Sequence, residues 1–224
     1  MLEKTLTLDY EFELLSGLHI GGGNDTFDIG GADSTVVKNP LTNEPYVPGS
    51  SMKGKIRALL TYVYGEIVDT DKEPKLQISD PTILSLFQPL GEEYSHTIQL
   101  SRAVFRDAVL TKESAAHLQE YLGTGTFTEI KAENSIDPLK GKAANPRFIE
   151  RVPAGARFKG QILLQIFEGD KEEELTSFLL EGLRLVEKNY LGGSGTRGYG
   201  RISFTEPLQF RDGMVLCQDL GQKE

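Results

Sequence analysis

Alternating apolar and polar side chains predict four β-strands. The clearest covers residues 5–14, where every second residue is apolar and the intervening ones are polar, as in a half-buried strand. Its apolar members are Leu6, Leu8, Tyr10, Phe12 and Leu14. Apolar repeats also predict strands over residues 98–106 and 158–167, and a last strand from Tyr199 to Phe210.

Helical periodicity replaces this alternation in two longer segments. Ser50 or Ser51 can cap a helix whose apolar residues recur every three or four positions along one face. That face is formed by Met52, Ile56, Leu59, Leu60 and Val63. A second amphipathic helix is predicted over residues 171–189, where three early glutamates suit the positive end of the helix dipole. A shorter helical stretch is predicted from Pro81 to Phe87.

The predicted order is strand, helix, strand, strand, helix, strand, which is the split βαβ pattern of a ferredoxin-like (RRM-like) α+β core. We therefore expect a single domain over residues 1–224, with insertions at residues 19–48, 68–97 and 123–152. The two ends of the last insertion can pair as a protruding hairpin. Those ends are Phe127 to Lys131 and Phe148 to Val152.

The net charge of −9 argues against a free-standing nucleic-acid binder, because such proteins are usually basic. Binding depends on local charge, however, and many basic residues are clustered. The clusters are Lys53, Lys55 and Arg57; Arg147 and Arg151; and Arg197 and Arg201. The single cysteine, Cys217, excludes an internal disulfide and a multi-cysteine zinc site. Because no apolar run is long enough to span a bilayer, we expect a cytoplasmic protein with no membrane partner.

Glycine is most concentrated between residues 192 and 201, together with Arg197 and Arg201. The glycines are Gly192, Gly193, Gly195, Gly198 and Gly200. Because glycine lacks a Cβ atom and adopts positive φ readily, successive N–H groups can converge on an anion. Arginine adds fork-shaped donors that suit phosphate. The segment therefore predicts a phosphate-binding loop, with a flexible turn as the alternative.

Residues 49–55 are a second candidate anion site. They match the G-x-x-x-x-G-K half of a P-loop, but Ile56 stands where a P-loop needs Ser or Thr to hold Mg²⁺. We therefore interpret them as a helix N-terminus that binds an anion, with basic residues along its first turns. Residues 197–204 resemble the RNP1 octamer of RNA-recognition modules, except that Arg201 replaces a phenylalanine. We interpret them as a glycine-rich loop that leads into a strand, with RNA following the backbone.

Two single residues are further candidates. His19 precedes the glycines at residues 21–23, where it is either structural or a hydrogen-bond partner of a phosphate or base. Asp33 lies in a glycine-flanked loop, and most such aspartates are turn residues. A carboxylate that reaches the phosphate of a bound strand can instead hold a metal or align an attacking hydroxyl. Spacing alone does not distinguish Asp33 from Asp25 or Asp28.

Seven short segments carry a resemblance to a known family. They are His19–Gly22, Asp33–Ser34, Val47–Arg57, Phe105–Ala108, Glu133–Asp137, Ala144–Arg147 and Leu191–Gly200. In this order they resemble the RAMP-superfamily backbone subunits of type III-A CRISPR effector complexes, the family of the third Csm subunit. The resemblance extends over residues 5–210.

The resemblance implies that several copies of the chain stack along one CRISPR RNA, beside other Csm subunits, and cut the paired target RNA at regular intervals. It implies a lid over residues 19–48, a helical insertion over residues 68–97 and a thumb hairpin over residues 123–152 that displaces a nucleotide. Asp33 matches the catalytic carboxylate of the family, which requires a divalent metal. We expect Mg²⁺, with Asp33 as a candidate ligand. Base pairing would read the target sequence, while the protein reads shape and backbone.

The residues that we predict to bind RNA are glycine, polar and basic residues of these segments. They are His19, Gly21, Gly22, Ser50, Ser51, Lys53, Lys55, Arg57, Arg147, Gly193, Gly195, Arg197, Gly198 and Arg201. Four more carboxylates are candidates to assist catalysis without assigned roles: Asp107, Glu129, Glu133 and Asp137. Two alternatives stay open. One is a purely structural guide-binding subunit, and the other is a RAMP that processes precursor CRISPR RNA with His19 as its acid–base group.

Overall fold

The computed structural model describes residues 1–22, 32–68, 73–88, 100–136, 139 and 141–213. Within these ranges the chain forms eleven strands and four helices, in a mixed α/β architecture. The strands are β1 (Leu2–Leu14), β2 (Tyr46–Val47), β3 (Glu66–Val68), β4 (Lys75–Gln77), β5 (Ala103–Phe105), β6 (Ala108–Leu110), β7 (Glu129–Ile136), β8 (Ala143–Arg151), β9 (Arg157–Phe167), β10 (Ile202–Phe204) and β11 (Arg211–Asp212). The helices are α1 (Gly49–Tyr64), α2 (Pro81–Phe87), α3 (Lys112–Leu122) and α4 (Glu172–Lys188).

Strands β1 and β9 form the centre of an antiparallel sheet. They pair along nearly their full length, from Leu2 opposite Phe167 to Glu13 opposite Arg157. β10 and β11 pair with β1, β5 and β6 pair with β9, and β2 extends the sheet beyond β6. The strands predicted over residues 5–14 and 158–167 are therefore confirmed as the central pair.

Helices α1 and α4 pack against each other and share one hydrophobic core with the sheet. From the helices this core includes Met52, Ile56, Leu60, Leu179, Leu183 and Val186. From the sheet it includes Leu6, Leu8, Phe12, Ile162 and Leu164. Burial of apolar surface is the main favourable contribution to folding, which is why the helical and strand periods of the sequence predict these elements. None of the helices in the described ranges is long and apolar enough to span a membrane.

Three parts of the fold differ from the sequence prediction. Of the strand predicted over residues 98–106, only β5 is present in the described residues; β6 follows beyond its predicted end, after Asp107, whose carboxylate accepts the N–H of Gly49. The last predicted strand is confined to β10, because Tyr199 and Gly200 belong to the preceding glycine-rich turn. Helix α3 has no predicted counterpart. It begins after Thr111, whose hydroxyl accepts the N–H of Ser114.

Strands β7 and β8 form a separate antiparallel hairpin, as predicted for the ends of the third insertion. Its pairing runs from Glu129 opposite Arg151 to Ile136 opposite Ala143. The register shifts between Glu133 and Ser135, so the hairpin contains a bulge. The base of the hairpin joins the main body through a bridge between Val152 and Leu18.

Candidate functional site

Asp33 lies against the β7–β8 hairpin, at the start of a segment that runs along strand β8. Its backbone N–H donates to the carbonyl of Phe148 at 2.7 Å. Its carboxylate oxygen Oδ2 accepts the N–H of Phe148, also at 2.7 Å. The carboxylate is thus oriented by one residue of β8, while Asp33 as a whole stays exposed to solvent.

His19 connects this segment to strand β8. Its Nδ1 atom lies 2.7 Å from the carbonyl of Glu150, and its Nε2 atom lies 3.1 Å from the hydroxyl of Ser34. A carbonyl can only accept, so in the neutral ring Nδ1 donates to Glu150 and Nε2 accepts from Ser34. Both ring nitrogens are therefore occupied by partners within the protein, one of them the neighbour of Asp33.

Glu150, on strand β8, holds residues 33–38 in place, and we call these residues the Asp33 segment. The residue is only 8% exposed. Its carboxylate accepts the N–H of Val36 at 2.8 Å and the hydroxyl of Thr128 at 2.6 Å, and it forms an ion pair with Lys38. Burial alone would raise the pKa of Glu150, but these donors outweigh that effect and hold the pKa below its usual value. Glu150 thus ties residues 36–38 to the base of the hairpin.

The glycine-rich loop folds back on the protein rather than opening a ring of free amides. Within it, the N–H groups of five residues donate to backbone carbonyls. These residues are Gly193, Arg197, Gly198, Tyr199 and Gly200. The predicted convergence of amides on an anion is therefore wrong at these five positions.

Close packing and backbone shape account for the glycines instead. A Cβ atom on Gly195 would lie 2.1 Å from the ring of Tyr190. Gly200 has a φ of +70°, and a Cβ atom there would lie 1.9 Å from the carbonyl oxygen of Leu191. The outer side of the loop is exposed at Gly193, Arg197 and Gly198, so their predicted contact with RNA stays a prediction.

Helix α1 begins at Gly49, so capping by Ser50 or Ser51 is wrong. Pro48 occupies the N-cap position and makes no side-chain capping bond. The carboxylate of Asp107 accepts the N–H of Gly49 at 2.7 Å. An anion was expected at this positive helix end beside basic residues, and the protein supplies one itself.

The three basic residues of α1 do not form one cluster. Lys53 and Arg57 are four residues apart and share one side of the helix, whereas Lys55 lies about 200° around the axis from each. Its ammonium sits 3.3 Å from the centroid of the Tyr190 ring, and burial lowers the pKa of Lys55. Lys55 is thereby brought next to the glycine-rich loop.

A groove of about 450 Å³ lies beside the bulge of the β7–β8 hairpin, and we call it the hairpin groove. The side chains that define it are Lys131, Glu133, Asn134, Asn145, Arg147 and Arg197. Two predicted RNA-binding residues, Arg147 and Arg197, are thus brought together although they belong to different segments of the sequence.

Glu133 partly neutralises the positive charge of the hairpin groove. Its carboxylate lies 3.1 Å from Arg197 and 3.7 Å from Lys131. The nearby hydroxyl of Tyr199 and these two cations hold the pKa of Glu133 below its usual value. Burial, followed by the proximity of Glu133, raises the pKa of Tyr199 to about 12.

Tyr199 packs against two basic residues of the hairpin, of which Lys131 lines the groove. The ring centroid is 4.6 Å from the ammonium of Lys131 and 5.2 Å from the guanidinium carbon of Arg151. The buried hydroxyl has no partner with hydrogen-bond geometry in the part of the chain that the structure describes. The glycine-rich loop and the hairpin therefore meet through cation–π contacts as well as an ion pair.

The other predicted site residues lie around these features. Gly22 donates its N–H to Thr35, and Gly21 forms a bridge with Val36, so both glycines flank the Asp33 segment. Ser50 and Arg201 are exposed, and Ser51 is partly buried. Of the candidate assisting carboxylates, Glu129 pairs with Arg151, and Asp137 lies outside the described residues.

Several groups of the site were not identified from the sequence: Lys38, Asn134, Asn145, Glu150 and Tyr190. No spacing pattern marks Lys38 and Glu150, because these partners are distant in sequence. They are 112 residues apart.

Among the described residues, no three His, Cys, Asp or Glu side chains come close enough to form a metal-binding group. Mg²⁺ in phosphoryl-transfer sites is commonly held by one or two carboxylates together with substrate phosphates. The exposed carboxylate of Asp33 fits a metal that is shared with RNA in this way.

Comparisons with protein families and with known sequences point to the same family. The RAMP superfamily matches residues 11–203 of the chain. A relative from Streptococcus thermophilus, named CRISPR system Cms endoribonuclease Csm3, is 40% identical over 196 residues, which cover 87% of this chain and 84% of the relative. A relative of the same name from Enterococcus italicus is 41% identical over 197 residues, covering 87% and 86%.

A solved structure is similar as well. It is a Csm3–Csm4 subcomplex of the type III-A CRISPR–Cas interference complex. The similar chain in it superposes with a TM-score of 0.53 at 28% sequence identity, covering 91% of this chain and 77% of the other.

Proposed function

The chain belongs to the RAMP superfamily, and we propose that it is a backbone subunit of a type III-A CRISPR ribonucleoprotein complex that binds guide RNA and cuts the complementary target RNA. One observation carries the catalytic part of the proposal. Asp33, an exposed residue, has its backbone and its carboxylate each held by one hydrogen bond to Phe148. The relatives named endoribonuclease at 40% and 41% identity support the same activity.

We propose a ferredoxin-like core for this subunit. Strands β1, β5 with β6, β9 and β10 alternate with α1 and α4 in the order of a split βαβ fold. In the sheet, β1 and β9 are central and β10 lies outside β1. The β7–β8 hairpin is then an insertion that acts as a thumb, and residues 32–38 are part of the lid.

Guide RNA binding is assigned to the exposed basic and glycine surfaces around this core. Arg147 and Arg197 line the hairpin groove, and Lys55 lies next to the glycine-rich loop. Local clusters of this kind can bind phosphates although the chain carries a net charge of −9. Further copies of the chain and other Csm subunits are the proposed protein partners, and a cytoplasmic location stays a prediction.

Cutting can use the 2′-hydroxyl of the RNA, whose oxygen attacks the adjacent phosphorus while the 5′-oxygen of the next nucleotide leaves. The protein then has to align these atoms and stabilise charge. Phe148 holds Oδ2 of Asp33, so the carboxylate has a fixed position beside the hairpin. Mg²⁺, if shared by Asp33 and phosphate oxygens, would neutralise charge that develops on the phosphate.

The precursor-processing alternative needs a histidine that is available for proton transfer. Both ring nitrogens of His19 already have partners, in Glu150 and Ser34. His19 is better explained as a residue that positions the segment next to Asp33. The other alternative is a guide-binding subunit without nuclease activity, and the Asp33 variants described next distinguish it from the proposed function.

The decisive test is a reconstituted complex in which every copy carries Asp33→Ala or Asp33→Asn. Asparagine keeps a side-chain oxygen that can accept the N–H of Phe148, so it retains the loop contact and removes the charge. Both variants should lower the cutting rate by about 10²- to 10⁴-fold while guide and target affinities stay near wild type, and a chelator should stop the wild-type reaction. Asp212→Asn is a charge-matched control on the exposed strand β11.

Normal cutting by Asp33→Asn would remove the carboxylate from the mechanism and favour the structural alternative. Loss of binding together with cutting in both variants would identify Asp33 as a loop-folding residue.

Guide binding has its own test. Lys53→Ala combined with Arg57→Ala should reduce the salt slope of guide binding by about two, because two phosphate contacts are lost. The control pair, Lys112→Ala with Lys188→Ala, removes the same charge from the exposed ends of other helices. An equal slope for the test pair and wild type would show that this side of α1 does not contact the guide.

A further inference from the structure

We propose that Tyr199 is a positioning residue for the RNA contact at Arg197, because its buried hydroxyl receives the carboxylate of Glu133 when an RNA phosphate displaces that carboxylate from Arg197. The inference rests on the proposed function, because it requires RNA to reach Arg197. It adds a second position for Glu133, which the proposed function does not need.

The hydroxyl of Tyr199 is the one buried side-chain polar atom among the described residues that lacks a hydrogen-bond partner. The residue is only 1% exposed, so bulk water does not take the place of that partner. A buried hydroxyl without a partner costs free energy, and folded proteins rarely keep one without a reason. Tyr199 therefore holds a donor in reserve for a group that moves towards it.

Of the described side chains around this hydroxyl, Glu133 is the one that can accept its proton. The ring lies against the cations of Lys131 and Arg151, which only donate hydrogen bonds. The carboxylate of Glu133 can accept, and it lies so near that the hydroxyl is the largest cause of its lowered pKa. The two groups nevertheless do not have the geometry of a hydrogen bond in this structure.

Arg197 holds the carboxylate away from this bond. Oε2 of Glu133 accepts Nη1 of Arg197 at 3.1 Å, whereas Oε1 lies 3.7 Å from the ammonium of Lys131, too far for a hydrogen bond. The side chain of Arg197 is 54% exposed, so a phosphate can approach it from solvent. That of Glu133 is only 14% exposed, so a carboxylate released from Arg197 needs a donor within the protein.

The exchange satisfies both groups at once. The phosphate takes the place of the carboxylate at Arg197, and the hydroxyl of Tyr199 donates to Glu133. A hydrogen bond to a charged acceptor is stronger than one between neutral groups, so it offsets part of the lost ion pair. RNA is then bound more tightly than if Glu133 were left without a partner.

The test uses the full chain with Tyr199→Phe, which removes the hydroxyl and keeps the ring against both cations. Without RNA, this variant should unfold about 2–4 °C above wild type, because a buried hydroxyl without a partner is lost. It should nevertheless bind a short single-stranded oligouridine about three- to tenfold more weakly, since the released carboxylate finds no donor. A merely structural role of the hydroxyl would lower stability and affinity together. Thermal unfolding and fluorescence anisotropy measure the two quantities.

Two further variants show whether Tyr199 acts through Glu133. In Glu133→Ala no carboxylate has to move, so the addition of Tyr199→Phe should leave the oligouridine affinity unchanged. In NMR spectra, the Cζ carbon resonance of Tyr199 should shift when RNA binds to wild type, because the hydroxyl begins to donate, and should not shift in Glu133→Ala. Tyr64→Phe is the matched control. It removes a hydroxyl that already donates to Glu181 at 2.6 Å, and it should keep the wild-type affinity.

Wild-type affinity in Tyr199→Phe, or an equal loss when Glu133→Ala is also present, would overturn the inference and leave the proposed function intact. If the wild-type chain does not bind oligouridine, or if Arg197→Ala binds it as tightly as wild type, the assignment of RNA to Arg197 fails and the inference fails with it.

Discussion

Glu150 and Glu133 belong to the same β7–β8 hairpin, carry lowered pKa values and are similarly inaccessible, with side chains 11% and 14% exposed. Their partners differ. Glu150 is bonded by Val36 and Lys38, which hold the Asp33 segment in place, and by Thr128 at the base of the hairpin. Glu133 is paired mainly with Arg197, whose side chain is 54% exposed in the hairpin groove.

The comparison separates a structural carboxylate from an exchangeable one. A lowered pKa shows that the charged form is stabilised, but it does not show what the charge does. Donors fixed by the backbone, such as the N–H of Val36, cannot leave without disrupting the fold. An exposed guanidinium can exchange a carboxylate for a phosphate at little cost. We therefore expect Glu150 to matter for stability and Glu133 for RNA affinity.

The largest effect is expected when the buried carboxylate is replaced. Glu150→Gln removes the charge that faces Lys38 and weakens three hydrogen bonds, so it should lower the free energy of unfolding by about 2 kcal/mol. Chemical denaturation of the full chain measures this change. Glu129→Gln is the matched control, because the Glu129–Arg151 ion pair is more exposed and should contribute less than about 1 kcal/mol. If both variants lose the same free energy of unfolding, Glu150 contributes no more to stability than the more exposed Glu129–Arg151 ion pair.

Acid should abolish the difference between wild type and Glu150→Gln. The pKa of Glu150 is lowered from 4.5 on folding, so its contribution is present above that value and is lost as pH falls through the lower value of the folded state. The gap in melting temperature between the two proteins should therefore be fully present well above pH 4.5 and should close as the pH falls below the lowered pKa of folded Glu150. A gap that is constant across this range would show that the variant acts through packing and not through charge.

The fold was predictable where the apolar residues of one element recur with the period of a strand or a helix. The alternation at Leu6, Leu8 and Tyr10 and the apolar face of α4 correspond to β1 and α4 as observed. Helix α3 was not recognised, because only three of its residues are buried and two of them, Ser114 and Ala115, are small; the third is Leu118. The break between β5 and β6 was unpredictable for a different reason. The break coincides with Asp107, which accepts a hydrogen bond from the N–H of Gly49, and no local sequence pattern predicts a contact between residues 58 positions apart.

The site was less predictable than the fold. Asp33 was selected by family resemblance, since spacing did not separate it from neighbouring aspartates. The glycine-rich loop was recognised, but its glycines serve close packing against Tyr190 and Leu191. Glu150 lies on β8, and its role depends on Lys38 and Val36 of a segment more than 110 residues earlier. Residue type and spacing cannot predict these contacts, because they form only when the β7–β8 hairpin folds against residues 33–38.

The smallest expected effect concerns the exchangeable carboxylate. Glu133 occupies the cations of the hairpin groove when RNA is absent, so RNA phosphate must displace it. Glu133→Gln removes this competitor and one negative charge near a polyanion. It should raise the affinity for single-stranded RNA about two- to fivefold, which corresponds to a rim ion pair of less than about 1 kcal/mol. Stability should change little, because Arg197 can return to solvent.

The measurement is RNA binding by fluorescence anisotropy at several salt concentrations, with Glu44→Gln as a control for a charge removed from the turn at residues 39–44. If Glu133 competes with phosphate, the gain should disappear when Arg197→Ala is added, since the two residues act through one contact. A gain that persists without Arg197 would reflect net charge alone. Weaker RNA binding by Glu133→Gln would mean that the carboxylate orients Arg197 for RNA. Glu133 would then be a positioning residue, as Glu150 is, and would not compete with phosphate.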